Sequence, residues 1–390
     1  MGEWKKVKLG DCIEEVVEKT TENNQHQVLS VTKDGIFSQE EFFKKQIASE
    51  NNIGYKVIRK NNLVFSTMNL WMGSLDVLTN YDIGIVSPAY KIFKFNEELM
   101  LPSYGNYFMK SYYMLEQYKN CSEQGASIVR RNLDLKALLN TNINIPLIAE
   151  QEKIVRILEK VDLIIKNYER LLEEKNRFIK SQFVEMFGSV KKFEMLGDIC
   201  SIKARIGWQG LTRKEYLEEG NYRLVTGIDF LGNTIDFDNC YYVSKERYQQ
   251  DENIQLKVND VLVTKDGTIG KVAIIDKLEM PATLNSGVFV IRDKSNRLNP
   301  IYLEYALLSD DFSKFIKKIK TGSTVAHLNQ EVFLKFKIPV PEKSEQDKFE
   351  PIVKLIDKQK FELKRIIENY KSLKKGLMQQ LLTGKVDVNV

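Results

Sequence analysis

Two stretches of the chain carry the periodicity of long amphipathic helices. Between residues 150 and 187 neither Pro nor Gly occurs, and apolar side chains fall at Ile154, Leu158, Val161, Ile165, Tyr168, Leu172 and Ile179, in alternating steps of four and three. That spacing is a heptad seam. Lys175 and Gln182 interrupt it, and a second stripe beside it, Ile157, Ile164, Leu171 and Phe178, implies more than one packing neighbour. A second segment, 345–382, has its seam at Phe349, Ile352, Ile356, Leu363, Ile366, Tyr370, Leu373 and Leu377, with Gln359 as a polar break. Pro351 predicts a first turn or a kink there, and Gly376 weakens the helix by about 1 kcal/mol against Ala. A helix of about 36 residues is about 54 Å long, more than one small domain needs for its core. The matching seams therefore predict an antiparallel intramolecular coiled coil. Ordinary core helices or an oligomerisation zipper are the alternative.

The segments before the two helices read as one unit written twice, at a shift of roughly 190 to 200 residues. Leu9-Gly10-Asp11 returns as Leu196-Gly197-Asp198, and Asn61-Asn62-Leu63-Val64-Phe65-Ser66 as Asn259-Asp260-Val261-Leu262-Val263-Thr264. Tyr104-Gly105-Asn106-Tyr107 answers Tyr302-Leu303-Glu304-Tyr305. Each unit closes on an Ile-Pro that leads to a Glu-Gln, Ile145-Pro146 to Glu150-Gln151 and Ile338-Pro339 to Glu345-Gln346. Inside each unit, short β-branched and aromatic runs are broken by Gly, Asn and Asp, and helices are expected around 103–118 and 300–320. The fold class is α+β: two tandem α+β domains, 1–147 and 189–343, separated by a long helix over 148–188 and followed by a second long helix with a C-terminal tail over 344–390, with a pseudo-twofold internal repeat.

Composition narrows the function without naming it. A hydrophobic share of 43% with 28% charged residues describes a globular chain, and a net charge of +5 permits nucleic-acid binding without requiring it. No apolar run approaches the roughly 20 residues of a membrane span. The first ten residues lack a signal-peptide pattern, so a cytoplasmic chain without a membrane partner is expected. Cys12, Cys121, Cys200 and Cys240 are scattered and read as reduced thiols, and with only His26 and His327 as imidazoles no metal site is expected. The chain has no Pro-Pro, so the Asp/Asn-Pro-Pro-Phe/Tyr motif of an adenine methyltransferase is missing. Asn299-Pro300-Ile301-Tyr302 reads as a helix cap, and Gly267-Thr268-Ile269-Gly270-Lys271-Val272 lacks the spacing of a phosphate-binding loop. No catalytic residue is assigned.

The order domain, helix, domain, helix, with the Ile-Pro to Glu-Gln junctions, resembles the specificity subunits of type I restriction-modification systems over nearly the whole chain. The sharpest segments are Asp260-Val261-Leu262-Val263-Thr264-Lys265-Asp266-Gly267-Thr268-Ile269-Gly270-Lys271 and Gly322-Ser323-Thr324-Val325-Ala326-His327-Leu328-Asn329. Met68-Asn69-Leu70-Trp71-Met72-Gly73 and Ile85-Val86-Ser87-Pro88-Ala89-Tyr90 look like another variant of the same pattern. The resemblance implies two target-recognition domains, each reading half of a bipartite, asymmetric double-stranded DNA target, with helices that set the gap and dock methyltransferase subunits. It also implies two copies of the methyltransferase subunit, restriction and motor subunits, and S-adenosylmethionine, ATP and Mg2+ used by the assembled complex and not by this chain. A coiled-coil scaffold that does not read DNA is the competing reading, and an enzyme with an unfamiliar site a further one.

On that resemblance the candidate DNA contacts are Asn69, Trp71, Ser87, Arg130 and Arg131 in the first domain, and Lys265, Asp266, Thr268, Lys271, Asn285, Ser286, Thr324 and His327 in the second. Asp266-Gly267 is a strong turn signal at the tip of a hairpin over 261–275; Lys265 and Lys271 there would meet phosphates and Thr268 a base edge. A solvated turn explains the same residues. Arg130 and Arg131 offer planar, bidentate contacts to guanine or phosphate, with an exposed ion pair as the plain alternative. Trp71 and Trp208 suit core packing better than ligand contact.

Overall fold

A computed structural model of the chain describes residues 4–32, 35–42, 51–124, 131–321, 327–386 and 388. It divides into two compact units, Met1–Glu169 with Arg365–Val390, and Arg170–Lys364. Among the described residues no helix is long and apolar enough to cross a membrane.

The first unit is built on a four-stranded antiparallel sheet in the order Ile13–Glu15, Tyr90–Phe95, Leu63–Ser66, Leu75–Val77. Alternation along the strands sends side chains to two cores. Leu63, Phe65, Leu75, Val77 and Phe93 pack on one face against the helices Pro102–Met109 and Tyr112–Asn120 and against Ile154, Val155 and Leu158 of the long helix Ile148–Phe187. Val64 and Ile92 pack on the other against Leu29, Val31, Ile36, Ile58 and Val86. Leu381 and Leu382, at the end of the second long helix Lys343–Leu381 and just beyond it, complete the first core.

The second unit repeats the plan. Its sheet runs Cys200–Lys203, Val288–Asp293, Val261–Thr264, Val272–Ile274. Val261, Val263, Phe289 and Ile291 face the helices Pro300–Leu307 and Asp310–Thr321, while Leu262, Ala273 and Val290 face Val225, Ile254, Ala282 and Leu284. The registers coincide: Leu63 opposes Phe93 and Val77, as Val261 opposes Ile291 and Ile274. Asn61 and Asn259, two residues before the equivalent strands, both adopt left-handed backbone, with φ of 68° and 73°, a conformation Asn tolerates better than most side chains. The 103–118 and 300–320 segments each form two short helices rather than one. Asn299 caps the first of the second unit's pair, accepting from the N–H of Ile301 at 2.9 Å.

The Ile-Pro to Glu-Gln junctions become clear in three dimensions. Gln151 and Gln346 are fully buried in the first turns of the long helices. Gln151 accepts from the Leu101 N–H at 2.9 Å and donates to the carbonyls of Leu99 at 2.7 Å and Pro146 at 3.0 Å. Gln346 accepts from the Asn299 N–H at 2.8 Å and donates to Arg297 at 3.0 Å and Pro341 at 2.9 Å. Each amide thus satisfies three backbone groups where each helix leaves its domain.

Within each unit the two helical segments run antiparallel. In the first, Lys371 pairs with Glu169 at 3.0 Å, Lys374 with Asp162 at 2.5 Å, and Tyr168 stacks on Tyr370. In the second, Phe183 and Phe187 pack on Phe349. Ile154, Leu158, Val161, Ile165, Ile179, Ile356 and Leu363 are buried, and Leu172, Ile352, Ile366 and Leu377 half-buried. Leu373, expected in the seam, is instead 49% exposed. The second helix turns Val353, Ile367 and Lys374 inward, and the Lys374 ammonium, held by Asp162, lies 5.3 Å from the Tyr107 ring centroid. Pro351, expected near a helix start or a kink, is exposed in a helix that already begins at Lys343 and continues through it; the buried neighbours Phe349 and Val353 hold that turn despite the missing N–H.

Replacing Gln346 with Ala leaves one buried and two part-buried backbone groups without this partner, so the unfolding free energy of the second unit should fall by about 2 kcal/mol or more. Urea unfolding followed by tryptophan fluorescence checks this, and a loss under about 0.5 kcal/mol, within ordinary surface effects, would contradict the anchoring role. A second prediction concerns Glu304, buried in Pro300–Leu307 and accepting from Asn233 Nδ2 at 2.9 Å. Burial pushes its carboxyl up to about 8, with Asp357 and Asp276 adding to the shift and the Asn233 bond and Lys360 opposing it. Between about pH 4.5, where the unfolded chain loses this proton, and about pH 8 the folded state binds more protons, so stability falls as pH rises. Glu304→Gln should flatten this dependence and raise the melting temperature at pH 8.5 but not at pH 5.

A candidate nucleic-acid interface at one end of each sheet

In the second unit the strand registers bring four chain segments to one end of the sheet. The strands Cys200–Lys203 and Val261–Thr264 finish there, and Val272–Ile274 and Val288–Asp293 begin there. Thr264, buried, organises the turn that follows: its hydroxyl donates to the Thr268 carbonyl at 2.6 Å and accepts from the Lys271 N–H at 3.0 Å. Gly267 supplies the left-handed residue this turn needs, at φ 65°. Lys265 donates its N–H to the Gly287 carbonyl at 2.9 Å, and its carbonyl accepts from the Leu328 N–H at 2.9 Å. The turn is thereby tied both to Asn285–Ser286–Gly287 and to the segment carrying His327. His327 Nδ1 bonds Asp266 Oδ1, and both side chains are 47% exposed.

Lys265, Asp266, Thr268, Lys271, Asn285, Ser286 and His327 thus converge at one end of the sheet. Besides the bonded Asp266 and His327, two of them are partly engaged in structure. Asn285 Oδ1 accepts from the Gly287 N–H at 2.9 Å, and Lys271 Nζ donates to the Gly227 carbonyl at 3.2 Å. Lys265 Nζ lies 5.2 Å from the Phe289 ring centroid. Thr324 lies outside the described residues.

Three residues escaped the sequence reading. Trp208, for which core packing was favoured, is 75% exposed in the short helical turn Gly207–Gln209 that follows the strand Cys200–Lys203. Ile228, 79% exposed, sits beside Gly227 and therefore next to Lys271. Arg205 is only 1% exposed and is held by neutral acceptors, the Leu284 carbonyl at 2.9 Å, Gln250 Oε1 at 3.3 Å, and the Arg247 carbonyl and Thr283 Oγ1 at 3.4 Å. Burial, then the neighbouring Arg247, holds its pKa below the usual guanidinium value. It braces Leu284, the residue before Asn285. Alternation and motif spacing carry no signal for such a brace.

The equivalent end of the first unit's sheet is differently furnished. Ser66, Tyr90, Glu15 and Leu75 mark it by register. In place of the hairpin turn stands a short helical turn, Leu70–Met72, between Asn69 and a left-handed Gly73. Ser87 forms the turn into the strand Tyr90–Phe95, its carbonyl accepting from the Tyr90 N–H at 3.1 Å. Arg131 reaches this end through the strand Arg131–Leu133; its N–H donates to the Met68 carbonyl at 3.2 Å, and its guanidinium carbon lies 4.2 Å from the Trp71 ring centroid. Asn69, Trp71, Ser87 and Arg131 therefore gather at this end, and Arg130 lies outside the described residues. Asn69 Oδ1 and Arg131 Nε are buried without a hydrogen-bond partner. Among the described residues no three His, Cys, Asp or Glu side chains gather in a way that would hold a metal ion.

The chain matches the type I restriction modification DNA specificity domain twice, over residues 1–175 and 190–370. It is 27% identical over 330 residues to the type I restriction enzyme MjaVIII specificity subunit of Methanocaldococcus jannaschii, an alignment spanning 78% of this chain and 75% of that one. Over 216 residues it is 25% identical to the EcoR124I/EcoR124II specificity subunit of Escherichia coli, covering 54% of this chain and 52% of that one. In fold it is similar to a chain solved in work on complex assembly and conformational transition of the type I R-M system, with a TM-score of 0.58 at 16% identity over 99% of this chain and 98% of the other. It is also similar in fold to the type I restriction-modification S subunit of M. genitalium, with a TM-score of 0.52 at 15% identity over 97% and 96%. With two specificity domains and two long helices, this chain belongs to the family of type I restriction-modification specificity subunits.

Proposed function

We propose that the chain reads a split, asymmetric double-stranded DNA target and holds methyltransferase subunits on it, catalysing no step itself. The observation that carries this reading is that equivalent ends of two equivalent sheets present unlike side chains. A lysine-flanked turn with Asp266 and His327 stands in one unit; Trp71, Asn69 and Arg131 stand at the same place in the other. A repeated scaffold with different side chains suits two different half-sites. Lys265 and Lys271 are assigned to phosphates, fixing register, and Thr268, Ser286 and His327 to base edges. Sequence readout belongs on loops held by a rigid sheet, where side chains vary without disturbing the core.

The long helices are assigned the unread gap and the docking of two methyltransferase copies. Each begins among residues of one unit and ends among residues of the other, and each is anchored by a buried glutamine. Restriction and motor subunits complete the proposed complex, in which S-adenosylmethionine, ATP and Mg2+ serve the partner subunits.

Inserting one heptad into both long helices at facing positions keeps the seam and adds about 10 Å, close to three base-pair steps. The methylated motif should then show both half-sites unchanged with a gap two or three base pairs longer, and an unchanged gap would contradict helix-set spacing. Lys265→Ala should weaken DNA binding by the methyltransferase complex without altering the motif, and should reduce the slope of log K against log salt by about 0.9. An altered base preference in that variant would assign Lys265 to readout instead.

A further inference from the structure

We propose that Arg131 reads a guanine in the half-site of the first unit, and that Trp71 is the residue that holds its guanidinium plane for that contact. The inference rests on the recognition function proposed above and adds the base and the residue that selects it.

Several other guanidinium groups offer a contrast. Arg59, Arg247, Arg292 and Arg297 each bond a carboxylate, that of Glu18, Glu215, Asp260 and Glu194 respectively, Arg205 is held by neutral acceptors, and Arg223, whose Nε is likewise buried without an acceptor, lies 4.0 Å from Asp238. Arg131 has no such partner: among the described residues its side chain makes no hydrogen bond or ion pair, and its Nε is buried without an acceptor. Arg131 is only half-buried, so part of its surface remains open to a ligand. An unpaired, half-buried guanidinium is unfavourable unless something completes it.

Geometry then separates the two kinds of acceptor that DNA offers. The backbone of Arg131 is fixed by pairing with Gln124 and by the bond to Met68, and its guanidinium lies against the Trp71 indole at 4.2 Å. Stacking of this kind orients the guanidinium plane and leaves its edge for hydrogen bonding. A phosphate on a flexible backbone needs only a cation that can follow it, a task a mobile lysine performs. A fixed pair of coplanar donors instead matches two acceptors at fixed spacing in one plane, and in the major groove those are guanine O6 and N7. Trp71 touches Arg131 and is assigned no base contact, so it acts as a positioning residue.

The experiment begins with the methylated motif of the wild-type complex. Exchanging the first domain shows which half-site belongs to the first unit. Duplexes carrying 7-deazaguanine, which lacks the N7 acceptor, at each guanine of that half-site in turn are then titrated with the wild-type methyltransferase complex. One position is expected to lose about 5- to 150-fold in affinity. Arg131→Lys should abolish sensitivity at that position and let the complex methylate sites with other bases there, while the second half-site stays fully selective. Trp71→Phe, which keeps a ring, should retain more selectivity at that position than Trp71→Ala. A first half-site without guanine, or no position sensitive to 7-deazaguanine in the wild type, overturns the proposal, and neither result depends on an Arg131 or Trp71 variant folding. An Arg131→Lys complex that methylates less but with an unchanged motif assigns Arg131 to phosphate and also overturns it. Absence of any chain-dependent split motif would instead defeat the recognition function on which the proposal rests.

Discussion

The buried glutamine at the start of each long helix is the constraint on which the arrangement of each unit depends. Gln151 and Gln346 are fully buried, each satisfying two carbonyls and one N–H of the loops around it. A neutral amide does this without the desolvation that an ion would suffer, and no apolar side chain can replace it because the backbone groups would be left unpaired. Through Leu101 and Asn299, the residues immediately before the paired short helices, the same bonds tie each long helix to the core that supports its sheet. The ends of those sheets are placed as a consequence.

The two sheet ends show how one scaffold carries two chemistries. Strand order and register repeat between the units, and so do the left-handed asparagines, yet the loops diverge where the strands end. In the second unit Thr264 closes a compact turn with its own hydroxyl. In the first, Ser66 opens onto a short helical turn that exposes Met72 and packs Trp71 under Arg131. Only the loops need change for the surface to change, which is the division of labour expected of a recognition module.

The repeat, the α+β class and the long helices were legible in the sequence because each is a matter of period: heptads, alternating strands, and motifs recurring in order. The Glu-Gln junction was visible as a motif, although its role as a three-bond anchor was not, since its partners are backbone groups more than 40 residues away in sequence in four of the six bonds and carry no side-chain signal. The second seam was misread at Leu373 because a lysine can occupy a seam position when a carboxylate and a tyrosine ring receive its ammonium, as Asp162 and Tyr107 do for Lys374. Trp208 was assigned to a core on its apolar character, whereas its loop projects it outward. Of the candidate contacts, convergence at one sheet end could not be read from spacing: Arg131 and Trp71 are 60 residues apart and meet only through the strand pairing and the Met68 bond.

The central claim, that this chain selects a split DNA sequence for methylation, is tested most directly by long-read mapping of N6-methyladenine. Cells carrying the chain with its methyltransferase subunit would be compared with cells lacking only the chain. The account predicts one asymmetric motif of two half-sites separated by a fixed gap, lost entirely when the chain is removed. With the methyltransferase demonstrably expressed and active, an unchanged methylation pattern in the absence of the chain would contradict it.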